Sequence, residues 1–169
     1  MKILKADYSD LKNISTLAVQ VWLDTYAAEG IRTTFSDYIW EELTTKNFQH
    51  RFNNRDREYY KVVKDDHLIG FFELNYNSPY GTDKKLNLEV EKLYIQQNFC
   101  GKGIGSKIID FINSLCSSRN ICSFWLSVYE NNERAIMFYK KVNFVEIGEI
   151  YFELGAEKHR NLVLKRIVI

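Results

Sequence analysis

Proline is all but missing from this sequence: Pro79 is the only one among 169 residues. There is also no low-complexity stretch, internal repeat or evident linker, so residues 1–169 are expected to form one continuous domain. Cysteine is scarce. Cys100, Cys116 and Cys122 are odd in number and make no C-x-x-C pair, while His50, His67 and His159 are scattered. Neither a disulfide framework nor a metal site is expected. No apolar run approaches the roughly 20 residues that cross a bilayer. The opening MKILKADYSD lacks the apolar middle and small-residue cleavage site of a signal peptide. Cytoplasm is the expected location, with no membrane partner. An excess of one charge sign is absent too: 23 Lys plus Arg stand against 22 Asp plus Glu, a net charge of +1. Nothing global favours nucleic acid.

What the chain has instead is apolar bulk, 46% hydrophobic and 15% aromatic, enough for a sizeable core. KILKA (Lys2 to Ala6) reads as an opening strand, and Ser9 as the N-cap of a helix with Leu11, Ile14, Leu17, Ala18, Val21, Trp22 and Thr25 on one face. The stretch from Ser36 to about Phe52 is helical in character. EYYKVVK and LIGFFELNY, separated by DDH, predict a hairpin. A loop at NSPYGTDKK precedes the strand LNLEVEKLYI, and a helix from about Ile104 to Ser118 follows. The strand SFWLSV, the helix NERAIMFYKKV and strand-like runs at FVEIGEIYFEL and NLVLKRIVI complete the chain. The expected class is α+β, a mixed twisted sheet of about seven strands flanked by about four helices.

Two local features stand out. Leu86, Leu88 and Val90 occupy one strand parity, but Leu93 and Ile95 occupy the other. A β-bulge at Glu91 or Lys92 produces that slip, as does a strand buried on both faces. Just beyond, Gly101, Gly103 and Gly105 crowd into CGKGIGSK, ahead of a helix with Ile108, Ile109, Ile112, Leu115 and Cys116 in one stripe. Glycines there suit a backbone at positive φ or in close approach to a neighbour. Successive N–H groups from Gly101 to Ser106, with the helix dipole, suit a pyrophosphate. The order of residues is wrong for a Walker A loop. For the dinucleotide fingerprint, Ser106 stands at the third glycine and few residues follow.

CGKGIG resembles the acetyl-coenzyme A signature of the Gcn5-related N-acetyltransferase (GNAT) superfamily, Gln or Arg followed by x-x-Gly-x-Gly or Ala. Gly103 and Gly105 fill the small positions, and Cys100 stands where Gln or Arg is usual. VYENNERAIMFYKKVNF resembles the family's N-x-x-A-x-x-F-Y segment through Asn132, Ala135, Phe138 and Tyr139, with Asn143 replacing a usual glycine. The matching segments cover about Leu86 to Phe144. LEVEKLYI and FWLSVYENNERAIMFYKK are most similar to small bacterial spermidine/spermine acetyltransferases.

The resemblance implies an acetyl-coenzyme A dependent enzyme of one GNAT domain. The strand at Leu93, Tyr94 and Ile95 would carry the pantetheine arm, the Leu93 N–H polarising the thioester. Cys100, Gly101, Lys102, Gly103, Ile104, Gly105 and Ser106 would hold the pyrophosphate. Asn132 would bond the pantetheine amides, cap its helix, or both. Lys141 would lie near the phosphates or on a solvent face. Tyr139 is implied as the acid that protonates the departing thiolate. The attacking amine must first lose a proton, and Glu89, then Glu91, are the candidate bases unless both are ordinary strand charges. A covalent route through Cys100 has no histidine close in sequence to activate it, so direct transfer in a ternary complex fits better.

The implied acceptor is a primary amine, foremost a polyamine such as spermidine or spermine, with Trp22, Asp24, Tyr26, Glu29, Glu73 and Glu89 available to recognise it. A protein N-terminus, an amino sugar or another small amine remain alternatives. So do a non-catalytic acyl-coenzyme A sensor and, more remotely, a dinucleotide-binding oxidoreductase. NLVLKRIVI is either an internal strand or one that could be exposed or exchanged to make a homodimer.

Overall fold

The computed structural model describes residues 1–82 and 85–168. Asp83 and Lys84, in the expected loop, and Ile169, at the end of the expected last strand, lie outside the described residues. Seven strands hydrogen-bond in the order β1-β2-β3-β4-β5-β7-β6. They are β1 Lys2–Lys5, β2 Arg57–Lys64, β3 His67–Asn75, β4 Glu89–Ile95, β5 Ser123–Tyr129, β6 Val145–Leu154 and β7 Glu157–Ile167. The α-helices are α1 Leu11–Tyr26, α2 Thr33–Glu42, α3 Thr45–Phe52, α4 Ile104–Ser118 and α5 Glu133–Lys141. The class is α+β with a mixed sheet, as β4 and β5 run parallel while β5 and β7 run antiparallel. Two compact units form: Met1–Leu74 with Lys92–Lys102, and Asn75–Glu91 with Gly103–Ile169.

In the first unit, β1 pairs antiparallel with β2 from Lys2↔Val63 to Lys5↔Tyr60. Ser9 is not the cap of α1: Asp7 caps a 3-10 turn at Tyr8–Asp10, and Asp10, without a side-chain cap bond, leads into α1. Asp7 accepts the Ser9 N–H while its own N–H donates to Asp10, a reciprocal box that encloses Ser9 in a 3-10 turn and delays α1 to Leu11. The predicted face is the one buried, through Leu11, Ile14, Leu17, Ala18 and Trp22. The single helix expected from Ser36 to Phe52 is two. Leu43 ends α2 and is itself buried, and Thr44 restarts the chain by accepting the Asn47 N–H at 3.2 Å. That break makes five α-helices rather than four. Between β2 and β3, Asp65 and Asp66 both sit at positive φ, 50° and 61°, as a two-residue type I′ hairpin turn requires.

In the second unit, β4 begins at Glu89 rather than Leu86. The preceding residues pair with their own loop instead: Ser78 N–H donates to Asn87 O at 3.0 Å and Tyr80 N–H to Leu86 O at 3.1 Å. The change of apolar parity predicted at Glu91–Lys92 is not a change of buried parity. Leu86, Leu88 and Val90 are buried, and the next residue of that parity, Lys92, is buried as well. In β6 the register against β7 shifts between Glu146 and Gly148. β7 is paired on both sides, by β5 and β6, so it offers no exposed edge. α4 buries Ile108, Ile109, Ile112 and Cys116 as its stripe predicts. Beyond α4 and α5, Asn120 and Asn143 adopt left-handed φ values of 57° and 64°. Asparagine tolerates that conformation, so it can stand where a helix end usually takes glycine.

Candidate active site

The glycine stretch serves two purposes. Gly101 and Gly103 have φ of 74° and 76°, and no heavy atom lies within 4 Å of where a Cβ would project. They are there for a left-handed turn beside open space. Gly105 answers to packing: a Cβ would meet the Phe138 ring at 2.7 Å, so α5 closes on α4 at that point. Gly103 is also the N-cap of α4, without any side-chain cap and with no acid in the first turn. The helical ladder starts with Lys107 N–H to Gly103 O at 3.2 Å. The N–H groups of Ile104, Gly105 and Ser106 therefore have no acceptor among the described residues, at the positive end of a dipole. Lys102 and Lys107 are exposed. The Lys102 ammonium lies 5.5 Å from the Phe99 ring centroid. This donor set is chemically suited to a pyrophosphate.

Upstream, β4 passes close to β3 at Gly70, where a Cβ would stand 2.7 Å from the Tyr94 carbonyl oxygen. The Tyr94 ring turns edge-on to Phe71, centroids 5.3 Å apart. Burial, then the neighbouring Tyr38 and Tyr26 phenols, push its phenol well above the usual range. Leu93 and Ile95 are half-buried. The Cys100 thiol points back onto the Ile95 and Gln96 carbonyls, at 3.8 and 3.7 Å. Its side chain supports the turn.

In the second unit both candidate bases are half-buried and held from one segment. Ser78 Oγ donates to Glu89 Oε2 at 2.6 Å, and Asn75 Nδ2 reaches Glu91 Oε2 at 3.5 Å. Asn132 caps α5, its Oδ1 accepting the Ala135 N–H at 3.2 Å. Tyr139 is 8% exposed, its ring against Phe138 and Phe144 at 5.2 and 5.3 Å. Its hydroxyl has no hydrogen-bond partner among the described residues. Burial pushes this phenol up, so it stays protonated at pH 7. Lys141 is exposed in the last turn of α5, where it complements the dipole.

Two residues proposed for the acceptor are committed elsewhere. Trp22 is 2% exposed, stacked between Tyr26 and Tyr38 at 4.8 and 5.0 Å. Glu73 is 0% exposed and neutralised by Arg57 and by Lys92, the latter at 3.4 Å. This buried pairing is what sequence reasoning missed: Lys92 occupies an apolar strand position because β3 supplies its counter-charge. Asp24 and Glu29 are exposed, and Tyr26 is half-buried.

A left-handed glycine turn opening an uncapped helix, followed by a helix that carries a buried tyrosine, defines the class. The model of the acetyltransferase (GNAT) family matches residues 20–144, and the chain belongs to that family. It is an acetyl-coenzyme A dependent N-acetyltransferase. It is 20% identical over 170 residues to an uncharacterized N-acetyltransferase in the pepI 3′ region of Lactobacillus delbrueckii subsp. lactis, covering 100% of this chain and 98% of that protein. Similarity to the spermine/spermidine N(1)-acetyltransferase of Bacillus subtilis is 29% over 103 residues, 58% of this chain and 68% of that one. Among solved structures, the PaiA N-acetyltransferase of Thermoplasma acidophilum in complex with coenzyme A superposes with a TM-score of 0.78 at 21% identity, over 98% of both chains. At that identity the likeness is one of fold.

Proposed function

We propose that the protein transfers the acetyl group to a primary amine by direct attack in a ternary complex, with a polyamine such as spermidine or spermine as the acceptor. The observation that carries the cofactor half is the open start of α4, whose first three N–H groups, without an acceptor among the described residues, follow two left-handed glycines. Gly101 to Ser106 grip the pyrophosphate through backbone N–H groups, and Lys102 adds positive charge. The half-buried stretch Leu93–Ile95 offers backbone to the pantetheine arm, and the side-chain NH2 of Asn132, whose Oδ1 is taken up in the cap, donates to the arm.

In the chemical step Glu89 takes a proton from the ammonium, freeing the lone pair that attacks the acetyl carbonyl carbon. Strand rise puts Glu91 about 7 Å and Glu89 about 13 Å along β4 from Leu93, so Glu89 works through water and Glu91 is the nearer alternative. The Leu93 N–H receives the charge developing on the carbonyl oxygen. As the carbon–sulfur bond breaks, Tyr139 gives its proton to sulfur, and the acetylated nitrogen sheds its second proton, which returns through solvent to the tyrosinate to leave a neutral amide and a neutral phenol. The polyamine reading rests on the Bacillus subtilis relative and on Asp24, Tyr26, Glu29 and Glu89, since Trp22 and Glu73 are committed elsewhere. Acetyl-coenzyme A should be offered with polyamines, amino sugars, amino acids and peptide N-termini, and products followed by mass spectrometry. Acetylated spermidine or spermine, with kcat lowered on the order of 10²-fold in Tyr139→Phe, is the expected result. Coenzyme binding without product on any amine would overturn the enzyme assignment in favour of a sensor, and product on other amines alone would overturn the polyamine assignment.

A further inference from the structure

Ser78, which holds the candidate base Glu89, has had no role in the transfer assigned to it, yet its position is closely determined. Its Oγ donates to Glu89 Oε2 at 2.6 Å, the short distance of a hydrogen bond to a charged acceptor. Three restraints fix the serine. Its carbonyl accepts the Trp125 indole N–H at 2.8 Å. Its N–H donates to Asn87 O at 3.0 Å, and Asn87 Nδ2 returns a bond to Tyr76 O at 2.9 Å. The residue after it is the chain's one proline, which confines Ser78 to extended backbone and lowers the entropy of the loop before it folds.

The far side of the loop is fastened as well. The Tyr80 ring packs on Trp125 with centroids 5.3 Å apart. At Gly148 a Cβ would collide with the Tyr80 hydroxyl oxygen, so this glycine keeps open the space that the phenol fills. Leu86, Trp125 and Val163 form one buried cluster with Tyr80 packed against it, so this part of the loop is anchored to the core and the serine has a fixed platform. It is what a reacting carboxylate needs, because a donor on one oxygen sets the rotation of the group and directs the other oxygen.

We propose that Ser78 is a positioning residue for the transfer step, a hydroxyl held by Trp125, Asn87 and Pro79 that orients the Glu89 carboxylate toward the amine. This rests on the reading of Glu89 as the base. The test is steady-state kinetics of Ser78→Ala, Ser78→Thr, Pro79→Ala and Glu89→Gln, and of the Ser78→Ala/Glu89→Gln double variant, with acetyl-coenzyme A and the accepted amine. A lost hydrogen bond to a charged group predicts that Ser78→Ala lowers kcat about tenfold. The KM for acetyl-coenzyme A stays unchanged, Ser78→Thr restores most of the rate, and Pro79→Ala gives a smaller loss. In the Glu89→Gln background Ser78→Ala costs nothing further. A wild-type kcat in Ser78→Ala beside a damaged Glu89→Gln would overturn the positioning role alone, as would equal losses in both backgrounds. A wild-type rate in Glu89→Gln would overturn the base assignment and this inference with it.

Discussion

Two helices of the second unit start in opposite ways. α5 starts as stability dictates: Asn132 caps it at 3.2 Å and Glu133 places a carboxylate in the first turn. α4 starts from left-handed Gly103, with neither side-chain cap nor acid. It is the longer and more thoroughly buried of the two, so the bare end is not the mark of a weak helix. The α5 start has a side-chain acceptor and a first-turn carboxylate where the α4 start has neither, so of the two it is the α4 end whose chemistry suits an anion.

The contrast can be broken by making α4 start like α5. Ser106→Asp places a carboxylate in the first turn of α4, where it competes for the same donors and repels phosphate. The KM for acetyl-coenzyme A should rise on the order of a hundredfold while thermal stability holds or improves. A KM unchanged in a folded protein would contradict the pyrophosphate seat. Gly103→Ala leaves room for the methyl group but imposes left-handed strain, expected to cost about 1–2 kcal/mol of unfolding free energy and raise that KM about tenfold. Denaturant melts and kinetics read the two effects separately.

The same contrast is sharpened from the α5 side. Asn132→Ala should lower the unfolding free energy by about 1 kcal/mol through the lost cap. Asn132→Asp keeps the cap oxygen and removes the amide hydrogens, so stability should hold while affinity for coenzyme A falls severalfold, which separates capping from cofactor binding. Lys102→Ala carries the smallest effect, about two- to threefold in KM and fading with added salt, because the exposed ammonium is screened where backbone donors are not.

Much of this was legible where local pattern decides structure. The apolar stripes of α1 and α4, the hairpin at Asp65–Asp66 and the glycine turn all follow from periodicity and backbone conformation within a few residues. The departures have non-local or finely local causes. Lys92 reads as a break in the β4 pattern until Glu73 and Arg57 are known to meet it. Asn143 reads as a flaw in the family motif until its φ of 64° shows that it adopts the conformation glycine usually provides. The hold of Ser78 on Glu89 spans eleven residues of sequence and an indole from β5, and no spacing rule announces it. Cys100 occupies a motif position whose side chain folds back on its own turn, so the motif survives in the backbone N–H groups that follow.

The most direct test of the open helix start follows backbone amide resonances in a ¹⁵N-labelled sample while coenzyme A, and separately inorganic pyrophosphate, is titrated. Saturable shifts of the Ile104, Gly105 and Ser106 amides with both ligands, and little response from Ala135 in the capped turn of α5 to pyrophosphate, are the predicted result. Coenzyme A binding that leaves the three α4 amides unmoved would contradict the account.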